Sequence, residues 1–508
     1  MSTTADRNHP IYKESNASSR PVDFDPFADA PELVATAPAT EPQQEIWAAA
    51  SLGREASCAY NESLAITLDG ELAIDALRAA LRTLVARHES LRASFGPDGH
   101  EICIARDIPL DLDVIDAHGA AGMAALRERE VSEPFDLLNG PLFRCRIVRL
   151  EPRRHVVLFT AHHTICDGWS FGLLLRELAA LYNDARAGRA HALPDAPSFT
   201  AYAASRRAVV EADGAEHDAW WVEQLRDVDP QLELPHDHAR PAGLVFDAGF
   251  HRHVIPAAIM QKLKSRGAKR GATAYGVIAG SFAAWLHRLT GKNDLVLGVP
   301  AAGQAREGIE NLVGHCVSLL PVRSRLDAND HYERYLERFS DTLSDAWEHR
   351  DCSMGRILPR LGLHRDVANV PLVQVILNVD RRIGELAFDG LDANVEGVPR
   401  RFENFEMFVN AVETPGGLRL DCTYDATLFK PGTIRARFAE LEAFLERVAD
   451  EDGLLAGIPI VTEDERARLK DWGEGPSHEG PAARIDALVR GQAEQTPHAI
   501  AISCNGRT

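Results

Sequence analysis

The sequence predicts an α+β protein built as two lobes of similar size and element content. Two observations carry this prediction. Strand-like and helical runs are mixed without one regular period, which favours sheets with helices packed on them over a barrel of parallel units. A stretch rich in Gly, Pro and Ala, Gly188 to Ser198 (GRAHALPDAPS), then divides the chain and reads as a connection between lobes. No repeat is visible between the two halves at the level of sequence.

Composition bounds the problem further. At 508 residues the chain has room for roughly two to four domain-sized units. Hydrophobic residues make up 45% and charged residues 26%, an ordinary globular balance that predicts a sizeable core. The 55 Lys+Arg against 75 Asp+Glu leave a formal charge of -20, which argues against nucleic acid as a partner. No apolar run approaches the length of a bilayer span, and the polar start MSTTADRNHP lacks the apolar centre of a signal peptide. A soluble cytoplasmic protein without a membrane partner is expected. Eight cysteines are spread singly with no CxxC pair, so they read as reduced thiols rather than as disulfides or a zinc site.

Residues 1–39 are rich in Ser, Pro, Ala and Asp without periodicity and are expected to form a flexible leader or docking segment. The first lobe is assigned to residues 40–190. After Asp69-Gly70, the residues Ile74, Leu77, Leu81, Leu84 and Val85 fall at helical spacing, and the run ends at His88. Strands are expected at Glu101 to Ala105, Phe143 to Leu150 and Val156 to Ala161, followed by a helix from Phe171 to Ala187 that stops at Gly188.

The second lobe is assigned to residues 199–465. It contains a helix through Ala274 to Leu289 ended by Gly291, strands at Asp294 to Val299, Val370 to Val379, Glu406 to Val412 and Leu418 to Tyr424, and a helix from Gly432 to Val448. Residues 466–484, which include DWGEGPSHEGPA, read as a linker. Residues 485–508 add a short helical pattern and a strand-like Ala499 to Ser503, too little for a core and therefore the truncated start of a further domain.

One local cluster carries chemistry: Ala161-His162-His163-Thr164-Ile165-Cys166-Asp167-Gly168-Trp169-Ser170, between an apolar strand and a long amphipathic helix. A strand-to-helix turn presents side chains at a sheet edge while rigid elements hold them, as an acid–base group requires. An unperturbed histidine, with a pKa of ~6.5, is largely neutral near pH 7 and can accept a proton. On residue type alone a catalytic pair and a buried structural pair both remain open. No metal is assigned, because adjacent side chains diverge at a strand end and a remote third ligand is missing. Cys166 is a poor nucleophile, since the carboxylate of Asp167 raises a neighbouring thiol pKa. Trp47, Trp220, Trp221 and Tyr202 are read as structural.

The string HHTICDG resembles the HHxxxDG signature of condensation domains of nonribosomal peptide synthetases. Four further stretches are similar in order and approximate distance. They are Thr40 to Trp47 (TEPQQEIW), Arg87 to Phe95 (RHESLRASF), Asn311 to Arg323 (NLVGHCVSLLPVR) and Pro371 to Asn378 (PLVQVILN). The resemblance covers roughly residues 40–465. Leu488 to Arg507 is similar to the first strand region of an adenylation domain.

The resemblance implies two chloramphenicol-acetyltransferase-like lobes forming a V with a central tunnel, and an acyltransferase that makes amides. It implies no directly bound cofactor; the substrates arrive as thioesters on the phosphopantetheine arms of carrier domains. His163 is implied as base or positioner, His162 as orienting the loop, and Asp167 as structural, paired with Arg92. Gly168 is implied to supply the turn and a backbone N–H near the reacting carbonyl. Asn378 either lines the tunnel or is a satisfied strand-end amide.

The chain begins at Met1 with only the leader before the first motif, which points to a donor carrier protein or acyl-CoA acting in trans. The downstream partners are an acceptor carrier domain and the adjoining adenylation domain. GHCVSLLP departs from the GxFVNTLPLR form associated with peptidyl donors and points to an acyl or polyketide-derived donor. The histidine pair argues against heterocyclisation, and the position before an adenylation start argues against epimerisation. A catalytically silent docking or recruitment module of the same fold is the competing reading, and the intact HHTICDG speaks against it.

Overall fold

The computed structural model describes residues 32–503, apart from 118, 244, 307, 364–370, 381, 452 and 475–483. Most of the predicted leader, half of the predicted linker and the last five residues lie outside the described residues.

Two main sheets carry the two lobes. In the first, Leu391–Gly397, Asn61–Gly70, Arg154–His162, Phe143–Glu151 and Val114–Asp116 lie side by side in that order. In the second, the order is Val317–Arg325, Asp294–Ala302, Val375–Asp380, Met407–Thr414, Gly417–Asp425 and Ala248–Pro256. The central pairs Asp294–Ala302 with Val375–Asp380 and Val375–Asp380 with Met407–Thr414 run parallel, and their neighbours run antiparallel. Parallel pairs need covering on both faces, and the second lobe accordingly has a broad apolar core that includes Trp285, Phe438 and Phe444.

The sheets meet helices whose local chemistry explains their ends. Thr40 caps the helix Glu41–Ala50, with the reciprocal bonds of a capping box to Gln43. The helix Ala274–Thr290 starts from the Thr273 cap and ends where Gly291 adopts a left-handed φ of 71°. Gly168–Arg186 begins three residues earlier than its apolar periodicity predicts, because the Asp167 side chain accepts the Ser170 N–H and caps it.

The lobes interlock more than their order along the chain predicts. Leu391–Gly397, assigned to the second lobe, pairs antiparallel with Asn61–Gly70 in the first sheet. Its alternating Leu391, Ala393 and Val395 pack on the first lobe's core, which also takes in Leu312, Val313, Cys316, Leu386 and Phe388. The helix Phe199–Gln224 bridges both cores, burying Phe199 and Ala203 in the first and Trp221 in the second.

Three further boundaries differ from expectation. Leu33–Pro38, placed in the flexible leader, is a strand paired with Glu101–Ala105. It is an edge strand with half of its residues exposed and none buried, so backbone pairing rather than apolar periodicity orders it. Glu463–Glu474 runs as a helix into the predicted linker, held at its start by the Thr462 and Glu465 capping bonds. Ala499–Ser503 forms no strand.

Candidate active site

The strand Arg154–His162 delivers the turn His163–Asp167 to the junction of the lobes, and neighbouring backbone fixes it there. His162 N–H donates to the Leu142 carbonyl at 3.0 Å, and His163 N–H to that of Tyr60 at 2.8 Å. From the helix Glu41–Ala50, the fully buried Gln43 amide donates to the Thr164 carbonyl at 2.9 Å. The opening motif thus acts as a buttress of the turn.

His163 is the exposed member of the pair, with about a fifth of its side chain accessible. Its Nδ1 lies 2.8 Å from the Cys166 carbonyl, which only accepts hydrogen bonds, so Nδ1 carries the proton. The lone pair is therefore on Nε2, which finds no hydrogen-bond partner among the described residues. Glu62 Oε2 stands 3.6 Å from Nδ1 on the same side, and Arg400 holds the other oxygen, Oε1, at 2.7 Å. This arrangement fixes the tautomer and ring direction that a proton acceptor needs.

His162 has a different environment. It is fully buried, with Nδ1 2.9 Å from Thr164 Oγ1, and burial lowers its pKa from 6.5 to about 3, with a smaller contribution from His163. It is a neutral packing group that holds the turn through Thr164. Burial likewise pushes the Cys166 thiol well above its ordinary range, with the Asp167 carboxylate adding to the effect.

A third imidazole was not selected from the sequence. His315, 3% exposed, meets the His163 ring in a T-shaped contact at 4.7 Å, and burial holds its pKa well below 6.5. It also lines a cavity of about 460 Å³ together with Thr40, Glu41, Tyr202, Arg206 and Cys316. Tyr202, read as structural, therefore also borders open space. The signal was present in GHCVSLLP, but one histidine in an apolar string gives no hint of a partner some 150 positions away.

Because an unfolded chain's histidines titrate near 6.5 and His162 titrates only near 3 in the fold, the unfolded state takes up the proton first. This contribution to stability is complete above pH ~6.5 and is lost at about 1.4 kcal/mol per pH unit as pH falls towards 3. His315 acts in the same direction. Urea unfolding midpoints are expected to fall clearly between pH 7.5 and pH 5; equal midpoints would show that these imidazoles are solvated.

Asp167 corrects the predicted ion pair with Arg92. Its buried carboxylate accepts four neutral donors: Ser170 N–H at 2.8 Å and Oγ at 2.7 Å on Oδ1, and Gln304 Nε2 at 2.9 Å and Cys316 N–H at 3.0 Å on Oδ2. Arg92 instead donates to the carbonyls of Val85, Ala105 and Arg106, tying the end of the helix Ile74–Arg87 to the strand Glu101–Ala105. Four oriented dipoles satisfy a buried carboxylate without a cation. Asp167 is thus a strut between the lobes. Ser170 Oγ and the Gly314 backbone reinforce it through two bonds of 2.9 and 3.0 Å.

Gly168 is exposed, and its φ is not in the left-handed region, so the turn does not require glycine. Space favours glycine there: a Cβ would stand 3.3 Å from Asp380 Oδ1, a tight contact that this side-chain oxygen would have to yield to by a few tenths of an ångström. Asn378 is half-buried on Val375–Asp380, and its Nδ2 donates to Asn410 Oδ1 at 3.0 Å, which makes it a satisfied amide at the cleft wall. The structure thus gathers His163, His162, Asp167, Gly168 and the Asn378 strand at one junction, and leaves Arg92 outside it. It adds Glu62, Arg400, His315 and Asp380.

Comparison with known proteins gives a consistent result. The condensation-domain family model matches residues 34–469. Malpibaldin synthetase of Mortierella alpina is 31% identical over 476 residues, which are 91% of this chain and 8% of that synthetase. Across the curated relatives it matches, the chain spans from 6% to 43% of their length. The X-domain of teicoplanin biosynthesis, solved in complex with OxyB, superposes with a TM-score of 0.76 at 27% identity, covering 85% of this chain and 98% of that one. A four-domain nonribosomal peptide synthetase bound to AMP and glycine shares the fold at a TM-score of 0.80 and 21% identity, with coverage of 94% of this chain and 37% of the other.

Proposed function

The chain belongs to the condensation-domain family of nonribosomal peptide synthetases, and from that membership we propose that it transfers an acyl group from a donor thioester to the amine of a carrier-bound aminoacyl thioester. The observation that carries this reading is His163, with Nδ1–H committed to the Cys166 carbonyl and Nε2 open at the junction of the lobes.

In the reaction the acceptor nitrogen attacks the thioester carbonyl carbon, a C–N bond forms and the C–S bond breaks. The nitrogen loses one proton and the departing sulfur gains one. His163 Nε2 is suited to take up and return that proton, and the N–H of Gly168, an exposed residue, to face the developing oxyanion. Thioester aminolysis is downhill, so holding two tethered reactants in line supplies much of the rate.

The acceptor arrives on a phosphopantetheine arm. The donor arrives on the carrier of another polypeptide, or as acyl-CoA, and the GHCVSLLP segment supports an acyl or polyketide-derived chain. The segment similar to an adenylation start supports an adenylation domain as the adjoining unit. Charging the two carriers separately and mixing them with the protein is expected to give amide only when both are charged. Amide formed without an acceptor carrier would contradict the reading.

A silent recruitment module is the second reading, favoured by the likeness to the X-domain. It predicts no amide from doubly charged carriers and retention of a partner protein by the parent and by a His163 variant alike.

A further inference from the structure

Asp380 closes the strand Val375–Asp380 at the cleft and belongs to none of the motifs above. Its Oδ2 accepts from Asn410 Nδ2 at 2.9 Å, and Asn410 in turn accepts from Asn378, so a chain of two amides fixes the direction of the carboxyl group. The other oxygen, Oδ1, faces the opposite half of the molecule, 3.3 Å from the point where a Cβ on Gly168 would stand. Burial raises the Asp380 pKa; the carboxylates of Glu62 and Asp167 act the same way, and the two asparagines oppose them.

The neighbouring acids have their partners on the protein. Glu62 pairs with Arg400, and Asp167 accepts four donors. Among the described residues no lysine or arginine pairs with Asp380. A carboxylate held in a half-desolvated cleft without a cation is costly unless a ligand brings one. The proposed reaction brings one cation, the ammonium of the aminoacyl acceptor, which releases one proton to solvent to become the attacking amine before the second passes to the departing sulfur.

We infer that Asp380 is a substrate-binding residue whose Oδ1 receives the acceptor's ammonium group on the Gly168 side of the cleft, where His163 also stands. The inference rests on the amide-forming reading. It assigns the two carboxylates beside the site different partners: Glu62 takes the protein's own Arg400, and Asp380 takes the substrate nitrogen. The absence of a side chain at position 168 then leaves Oδ1 uncrowded on the side from which that nitrogen arrives.

The test compares binding of unreactive acceptor mimics. Glycyl- and alanyl-pantetheine carrying an amide in place of the thioester are measured against acetyl- and propionyl-pantetheine amides, which lack the amine. The parent is expected to bind the amine-bearing compounds at least about 10-fold more tightly. In folded Asp380→Asn or Asp380→Ser the preference should shrink to about 3-fold or less. A parent with no preference overturns the inference without any variant, and a preference that survives in a folded variant overturns it as well. Failure of the amide-forming reading is seen separately, because the parent then makes no amide from charged carriers. Failure of this inference alone leaves amide formation intact.

Discussion

Asp167→Ala is expected to destabilise the protein by about 3–5 kcal/mol and to abolish activity with it. The substitution strips an acceptor from four donors at once, and the three residues that supply them, Ser170, Gln304 and Cys316, are all buried. It also removes the cap of the helix Gly168–Arg186, a loss of about 1 kcal/mol by itself. Asp167→Asn separates the parts. Its carbonyl still accepts from Ser170, but its NH2 meets the Cys316 N–H and the Gln304 amide. Gln304 has an unpartnered Oε1 and can rotate to present it, whereas a backbone N–H cannot. The asparagine variant should therefore lose about half as much as the alanine variant. Chemical denaturation of both variants checks this, and a loss under 1 kcal/mol in Asp167→Ala would show that the strut is dispensable.

The Arg92 expectation failed for a physical reason that the sequence does not display. A carboxylate beside a turn suggests a cation, but the donors that satisfy Asp167 come from Gln304 and Cys316, well over a hundred residues away, and from Ser170 next door. Only Ser170, three residues after an N-cap, was within reach of local reasoning. Elements with clean periodicity were legible: the helix Ala274–Thr290, the strand Glu101–Ala105 and the paired strands Met407–Thr414 and Gly417–Asp425 lie close to where their residues place them.

Elements defined by long-range pairing were not legible. Leu391–Gly397 has a strand pattern but nothing in it names the sheet it joins. Leu33–Pro38 (LVATAP) is apolar without a two-residue alternation, and it leaves Leu33 and Val34 exposed because it is an edge. At the site, HHTICDG announced a turn with two histidines, yet their division of labour follows from burial. One ring is enclosed and neutral, and the other is accessible with its Nδ1 proton fixed. Asp380 lay just past the string PLVQVILN, and no local pattern distinguishes a strand-end aspartate that meets a glycine of the other lobe.

The second large effect concerns His163. His163→Ala removes the one imidazole among those gathered at the turn that is accessible and has a fixed tautomer. Acid–base participation is ordinarily worth about 100- to 10,000-fold, so a fall in kcat of at least about 100-fold is expected. Since the side chain is partly exposed and carries no lobe-to-lobe bond, unfolding should be little affected. His163→Gln keeps a donor towards Cys166 without supplying a base. A variant that retains activity within about 10-fold would assign His163 to alignment, and one as inactive as alanine assigns it to proton transfer.

The most direct measurement is therefore the rate at which the acceptor carrier gains the acyl mass, read by intact-protein mass spectrometry with both carriers charged. It is made for the parent, for folded His163→Ala and for a mixture without enzyme. Amide formation at His163 predicts rapid gain with the parent and a rate near the enzyme-free background with the variant. Equal rates for parent and variant would contradict it.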